Sequence, residues 1–140
     1  MAGERVILVL GGGGVKGLAH IGAWHAVLEA GIPVTEIIGT SIGALVGACI
    51  AGGADYDRLL GLALGLQKTD IVTLNRWALL FNGIRQPSVF QGETFEHFIT
   101  SVLPVNRFSE LRIPLGINAV DLEMGTAEWF GAGGRAAGRV

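Results

Sequence analysis

The sequence predicts an α/β domain organised around a mostly parallel β-sheet, and three observations carry that reading. The apolar run Arg5–Leu10 (RVILVL) reads as a short buried strand, with mostly β-branched or leucine side chains. A second run, Val34–Ile38, reads as its neighbour. Between them Gly17–Ala30 has helical length, with Leu18, Ile21, Trp24, Val27 and Leu28 recurring at three- and four-residue spacing. A strand, a crossover helix and a strand in so few residues make a βαβ unit, whose two strands are normally parallel.

Each element has its own start and stop. Gly11–Gly14 ends the first strand, and Gly31 followed by Ile32 and Pro33 ends the first helix. Gly39 closes the second strand. Ile42–Ala51 then reads as a helix of small residues that permit close backbone approach, terminated by Gly52 and Gly53. Asp55 is placed to cap a helix running to about Leu66, with Tyr56, Leu59, Leu60 and Ala63 on one side. Thr69–Pro87 holds an apolar cluster of Trp77, Leu79, Leu80 and Phe81, read as core in preference to the rim of a pocket. Gln91–Leu103 returns to helical spacing through Phe95, Phe98, Ile99 and Val102. Ile113–Val120 is a third strand, and Thr126–Phe130 pairs with it across a turn at Met124 and Gly125. Gly131–Val140 lacks any periodicity that requires packing and reads as a loose tail.

Composition narrows the function classes. With 140 residues, half of them apolar and 16% charged, the chain suits one packed domain and not a disordered segment. Its 23 glycines follow no three-residue period, so collagen-like structure is excluded. Ten basic and twelve acidic residues leave a net charge of −2, which steers the chain toward neither nucleic acid nor an anionic bilayer. Cys49 is the one cysteine, so no internal disulfide and no thiolate metal cluster can form. The N-terminus lacks the continuous apolar core of a secretory signal. Ile37–Ala54 is eighteen residues without a charge, yet glycine and alanine dominate it; a helix buried in a soluble domain is expected there, not a membrane span.

Two motifs rise above this background and share the βαβ unit. The first is the loop Gly11-Gly12-Gly13-Gly14-Val15-Lys16-Gly17, which follows the first strand and opens a helix. Consecutive glycines allow backbone N–H groups to turn inward together as an anion-binding concavity. The second is Gly39-Thr40-Ser41-Ile42-Gly43, the G-x-S-x-G nucleophile elbow in its strand–turn–helix setting. Small residues at Gly39 and Gly43 permit the sharp turn that exposes the Ser41 hydroxyl. The loop supplies what a serine nucleophile lacks, donors for an oxyanion. The plain alternative is that Ser41 only caps the following helix.

Other machineries fit less well. Gly12, Gly14 and Gly17 satisfy G-x-G-x-x-G, so a Rossmann-type dinucleotide module is the competing reading. Its acid would have to be Glu36, which lies slightly early in the second strand. A Walker A loop fails, because Gly17 follows Lys16 where Ser or Thr is needed. A conventional triad needs a histidine, but His20 and His25 precede Ser41 and His97 lies on a helix. All three are read as packing or local hydrogen-bonding residues.

The stretches Gly12–Gly22 and Gly39–Gly43, with the small-residue helix after them, resemble the N-terminal part of patatin-like phospholipases. Asn118–Gly125 resembles a later strand-and-turn segment of that family. The resemblance implies a three-layer α/β/α fold with a mostly parallel central sheet, here incomplete at the C-terminus. It implies a serine acyl hydrolase acting on esters of phospholipids or other acyl lipids through a Ser–Asp dyad. Ser41 would be the nucleophile, the backbone of Gly12, Gly13, Gly14 and Val15 the oxyanion hole, and Lys16, Gly17, Gly39 and Gly43 supports of loop and elbow. No metal or cofactor is implied. The family's aspartate lies in an Asp-Gly-Gly or Asp-Gly-Ala motif, and no Asp-Gly pair occurs in these 140 residues. Asp121, followed by Leu122, matches a different and non-catalytic position. Residues 1–140 are therefore expected to be a partial domain of a longer enzyme, inactive alone; a degenerate homologue with a binding or structural role is the other explanation. Expected partners are an acyl-lipid substrate and transient contact with a membrane surface, in the cytoplasm, without nucleic acid.

Overall fold

The computed structural model of the chain describes residues 4–65, 89–121 and 123–134. In chain order it contains β1 (Val6–Leu10), a 3-10 turn (Gly14–Leu18), α1 (Ala19–Glu29), β2 (Val34–Gly39) and α2 (Ile42–Ala51). Then follow α3 (Tyr56–Gly65), α4 (Val89–Val102), a 3-10 turn (Phe108–Glu110), β3 (Leu115–Asp121) and β4 (Thr126–Gly131). The strands form one sheet in the order β1-β2-β3-β4. β1 and β3 flank β2 in parallel, and β4 is antiparallel to β3. The result is a mixed, largely parallel sheet flanked by helices.

The centre of the sheet is where the chain packs most closely. Ile37 on β2 is wholly buried, and Leu10 of β1 and Leu115 of β3 lie beside it in the core. α2 rests on all three strands because Gly47 carries no side chain. A Cβ there would stand 3.0 Å from Ile37, 3.4 Å from Leu115 and 3.5 Å from Leu10. Eight of the ten α2 residues are buried, which accounts for the charge-free run without a membrane. Among the described residues no helix is long and apolar enough to cross one.

Helix ends follow the chemistry of their residues. α1 is entered through the 3-10 turn, so its α-helical part begins at Ala19 and not at Gly17. It ends in a Schellman motif: Gly31 has φ 63°, its amide donates to Leu28, and the Ile32 amide donates to Val27. Asp55 caps α3 by accepting the Arg58 amide at 2.8 Å.

Three expectations change in detail. β1 is not covered on both faces: Leu8 and Leu10 meet the core, whereas Ile7 and Val9 on the other face are 40% and 68% exposed. β3 begins at Leu115 and not at Ile113, because the amides of Arg112 and Ile113 both donate to the Ala51 carbonyl at the end of α2. Residues 131–134 are tied down and not part of a loose tail. Gly131 belongs to β4, and the Ala132 amide donates to Leu115 at 2.8 Å while its carbonyl accepts the Trp129 indole at 2.9 Å. Residues 135–140, and the cluster of Trp77, Leu79, Leu80 and Phe81, lie outside the described residues.

Candidate active site

The site stands at the C-terminal ends of β1 and β2, where open parallel sheets place their ligands. β2 delivers it from the middle of the sheet. Thr40 leaves the strand with its amide donating to Leu10 at 3.0 Å, and α2 begins at Ile42. The single residue between them must reverse the chain. Ser41 does so at φ 55° and ψ −126°, and it is the one non-glycine residue with positive φ among those described. Such a backbone conformation costs an L-residue of order ~1–3 kcal/mol and persists only when its surroundings enforce it.

The surroundings are glycines. A Cβ on Gly39 would lie 2.5 Å from Ala44 Cα and 2.7 Å from its nitrogen, so only glycine lets the helix fold back over the strand end. A Cβ on Gly43 would run into the Leu10 carbonyl and stand 2.6 Å from the Gly11 oxygen, so α2 is pressed against the end of β1. Gly17 is buried and faces Ile42, with which any side chain would overlap. Gly12 lies directly beside the serine, its Cβ direction pointing 3.5 Å from Ser41 Cβ.

Ser41 occupies the N-cap position of α2 but makes no side-chain capping bond. Capping therefore does not explain the residue: its strained backbone leaves the hydroxyl exposed at the mouth of the site. Gly12 and Gly13 are likewise exposed, Gly14 and Val15 half-buried, and Lys16 exposed on the 3-10 turn. Gly13 and Gly14 have φ of 156° and 55°, a bend that residues with side chains rarely make.

His20 and Asn118, to which the sequence assigns no role in the site, hold it in place. His20 Nε2 bonds the Gly11 carbonyl at 2.9 Å, tethering the glycine loop to the first turn of α1. Because a carbonyl only accepts, Nε2 carries the proton. Thr40 donates its hydroxyl to the Asn118 side-chain oxygen at 2.5 Å, linking the elbow to β3. The remaining histidines have other surroundings. His25 stacks on Tyr56 with ring centres 3.9 Å apart and lies 3.9 Å from Glu29, and His97 is exposed on α4.

The dinucleotide reading loses its acid. Glu36 pairs in register with Ile7, in the body of the sheet, and its carboxylate is held by Arg5. Asp121 is a turn residue, its carboxylate accepting the amides of Glu123 at 2.8 Å and Met124 at 3.1 Å. Cys49, on the buried side of α2, is no nucleophile: burial pushes its thiol up to about 11, against the opposing charge of Arg58.

Comparison with known proteins identifies the family of the chain. Residues 8–136 match the family model described as patatin-like phospholipase. Over 123 residues the chain is 32% identical to the patatin-like phospholipase domain-containing protein 6 of Mus musculus, covering 81% of this chain and 8% of that protein. Over 63 residues it is 51% identical to lysophospholipase nte1 of Neurospora crassa and 56% identical to that of Coccidioides immitis, covering 45% of this chain and 4% of each relative. The chain thus spans less than a tenth of the length of these relatives. It belongs to the patatin-like phospholipase family.

Proposed function

We propose, from this family membership and the strained serine, that the chain carries the nucleophile half of a lipid acyl-ester hydrolase site. The observation that carries the reading is Ser41 at φ 55°, uncapped and exposed, with Gly12 directly beside it. The relatives' names point to phospholipid esters, either lysophospholipids or diacyl lipids, as the substrate class.

Ser41 Oγ attacks the ester carbonyl carbon and gives its proton to the aspartate of the family's dyad, whose Asp-Gly motif does not occur in this sequence; Asp121 is committed to its turn. Charge develops on the carbonyl oxygen and is met by backbone N–H groups of Gly12, Gly13, Gly14 and Val15. Donors held in place in this way cost no reorganisation during the reaction, and one of them is typically worth ~3–4 kcal/mol. The tetrahedral intermediate collapses, the alcohol leaves with the proton, and water then hydrolyses the acyl-enzyme by the reverse proton path. Lys16, exposed next to this loop, meets an anionic headgroup at the surface of a lipid aggregate.

A p-nitrophenyl acyl ester tests the reading with the chain as it stands. Without its base the serine reacts slowly and does not turn over, so a slow release of one equivalent of p-nitrophenol, with the acyl group left on Ser41, is expected. That release should disappear in Ser41→Ala. Equal release by both proteins contradicts the assignment.

A further inference from the structure

A cavity of about 440 Å³ lies against α2, enclosed by α1, α3 and α4. Ile42, Leu45, Val46 and Cys49 line it at helical spacing, on a different face of α2 from Gly43 and Gly47, which meet the strands. Phe98 and Val102 of α4 add to an almost wholly apolar wall. Among the described residues the space opens on the α3 side. Arg58, Gly61 and Gly65 lie on one face of that helix, all three are exposed, and a Cβ on either glycine meets no atom within 4 Å.

Arg58 is the one charged residue among the described residues of this wall. Its backbone amide is taken by Asp55, but among the described residues its guanidinium forms no ion pair. The volume is that of a small-molecule site, and among the described residues its chemistry is asymmetric: hydrocarbon inside, and the exposed Arg58 at the edge. A guanidinium matches the two oxygens of a carboxylate in a bidentate pair. We propose that this cavity binds a single-chain fatty acid, with the alkyl chain lying along α2 and the carboxylate on Arg58. Ile42 lines the cavity and Ser41 does not, so the proposal requires no contact with the nucleophile and does not depend on the hydrolase reading.

Displacement of a fluorescent fatty acid from the full 140-residue chain by dodecanoate tests the proposal. Saturable displacement is expected, with octanoate about 250-fold weaker, since each of the four further buried methylenes of dodecanoate contributes about fourfold. Dodecanol, which lacks the charge, should bind at least about tenfold more weakly than dodecanoate. Arg58→Gln should remove that difference by weakening dodecanoate alone. Gly61→Leu, which projects into the open space on a residue favouring helix, should block both ligands. Ser41→Ala should bind dodecanoate unchanged; loss of binding there would place the ligand in the nucleophile site and overturn the proposal. So would the absence of saturable displacement, chain-length independence in the wild-type chain, or an Arg58→Gln protein that still prefers dodecanoate.

Discussion

The hydroxyl of Thr40 donates to the side-chain oxygen of Asn118 at 2.5 Å, across 78 residues of sequence. Gly39 and Ile117 are register partners, so the bond joins the next residue on each strand, immediately before the strained serine. β3 thus holds the elbow from one side, as the end of β1 and Gly43 hold it from the other.

Breaking this bond should slow Ser41 without unfolding the chain. Thr40→Val and Asn118→Ala are each expected to reduce the rate of Ser41 phosphonylation by a fluorophosphonate. The double variant should be little worse than either one, with a coupling of about 0.5–1.5 kcal/mol. Thr40→Ser and Asn118→Asp keep a donor and an acceptor and should restore the rate. Additive losses in the cycle would show that the two side chains act independently.

The strain at Ser41 is measurable as stability. Alanine retains the Cβ that makes φ 55° unfavourable, and glycine does not. Ser41→Gly should therefore be about 1–3 kcal/mol more stable than Ser41→Ala in urea unfolding. A glycine variant no more stable than the alanine one would mean that the elbow stores no such strain.

The glycines divide into two groups under substitution by alanine. At Gly39 and Gly43 the added methyl meets backbone, which cannot move aside without shifting α2, so losses of several kcal/mol are expected, on the order of the largest single-site effects. At Gly61 it meets nothing, and better helix propensity should add up to about 1 kcal/mol. Urea midpoints of the three variants check the contrast.

Cys49 gives the fold a pH dependence at the alkaline end. Its thiol titrates at about 11 in the folded chain against 9.0 for an ordinary cysteine, so the native state keeps the proton that the unfolded state releases. The contribution is complete below pH 9 and is lost as pH rises from 9 to 11, amounting to about 2–3 kcal/mol. Cys49→Ala should lose stability less steeply than wild type across that interval. Parallel stability–pH curves would contradict the buried, neutral thiol.

Elements set by local chemistry could be read from the sequence, and those set by distant partners could not. The elbow was legible because G-x-S-x-G writes its steric requirement into adjacent residues, and Gly31 and Asp55 mark helix ends in the same local way. The roles of His20 and Asn118 depend on which carbonyl or hydroxyl the fold brings to them, and no spacing records that. β3 starts two residues later than its apolar run predicts, because the Ala51 carbonyl, some 60 positions back, takes the amides of Arg112 and Ile113. β1 read as covered on both faces because an unbroken apolar run carries no alternation. Only the packing shows Ile7 and Val9 exposed.

The central claim is that Ser41 is a nucleophile set beside oxyanion donors, and site mapping of a fluorophosphonate adduct tests it most directly. The folded chain should acquire one phosphonyl group, on Ser41, slowly at neutral pH and faster as pH rises and solvent base replaces the aspartate. The adduct should be absent in Ser41→Ala. No adduct on Ser41 after exhaustive reaction of the folded chain, or an equal adduct in Ser41→Ala, would contradict the account.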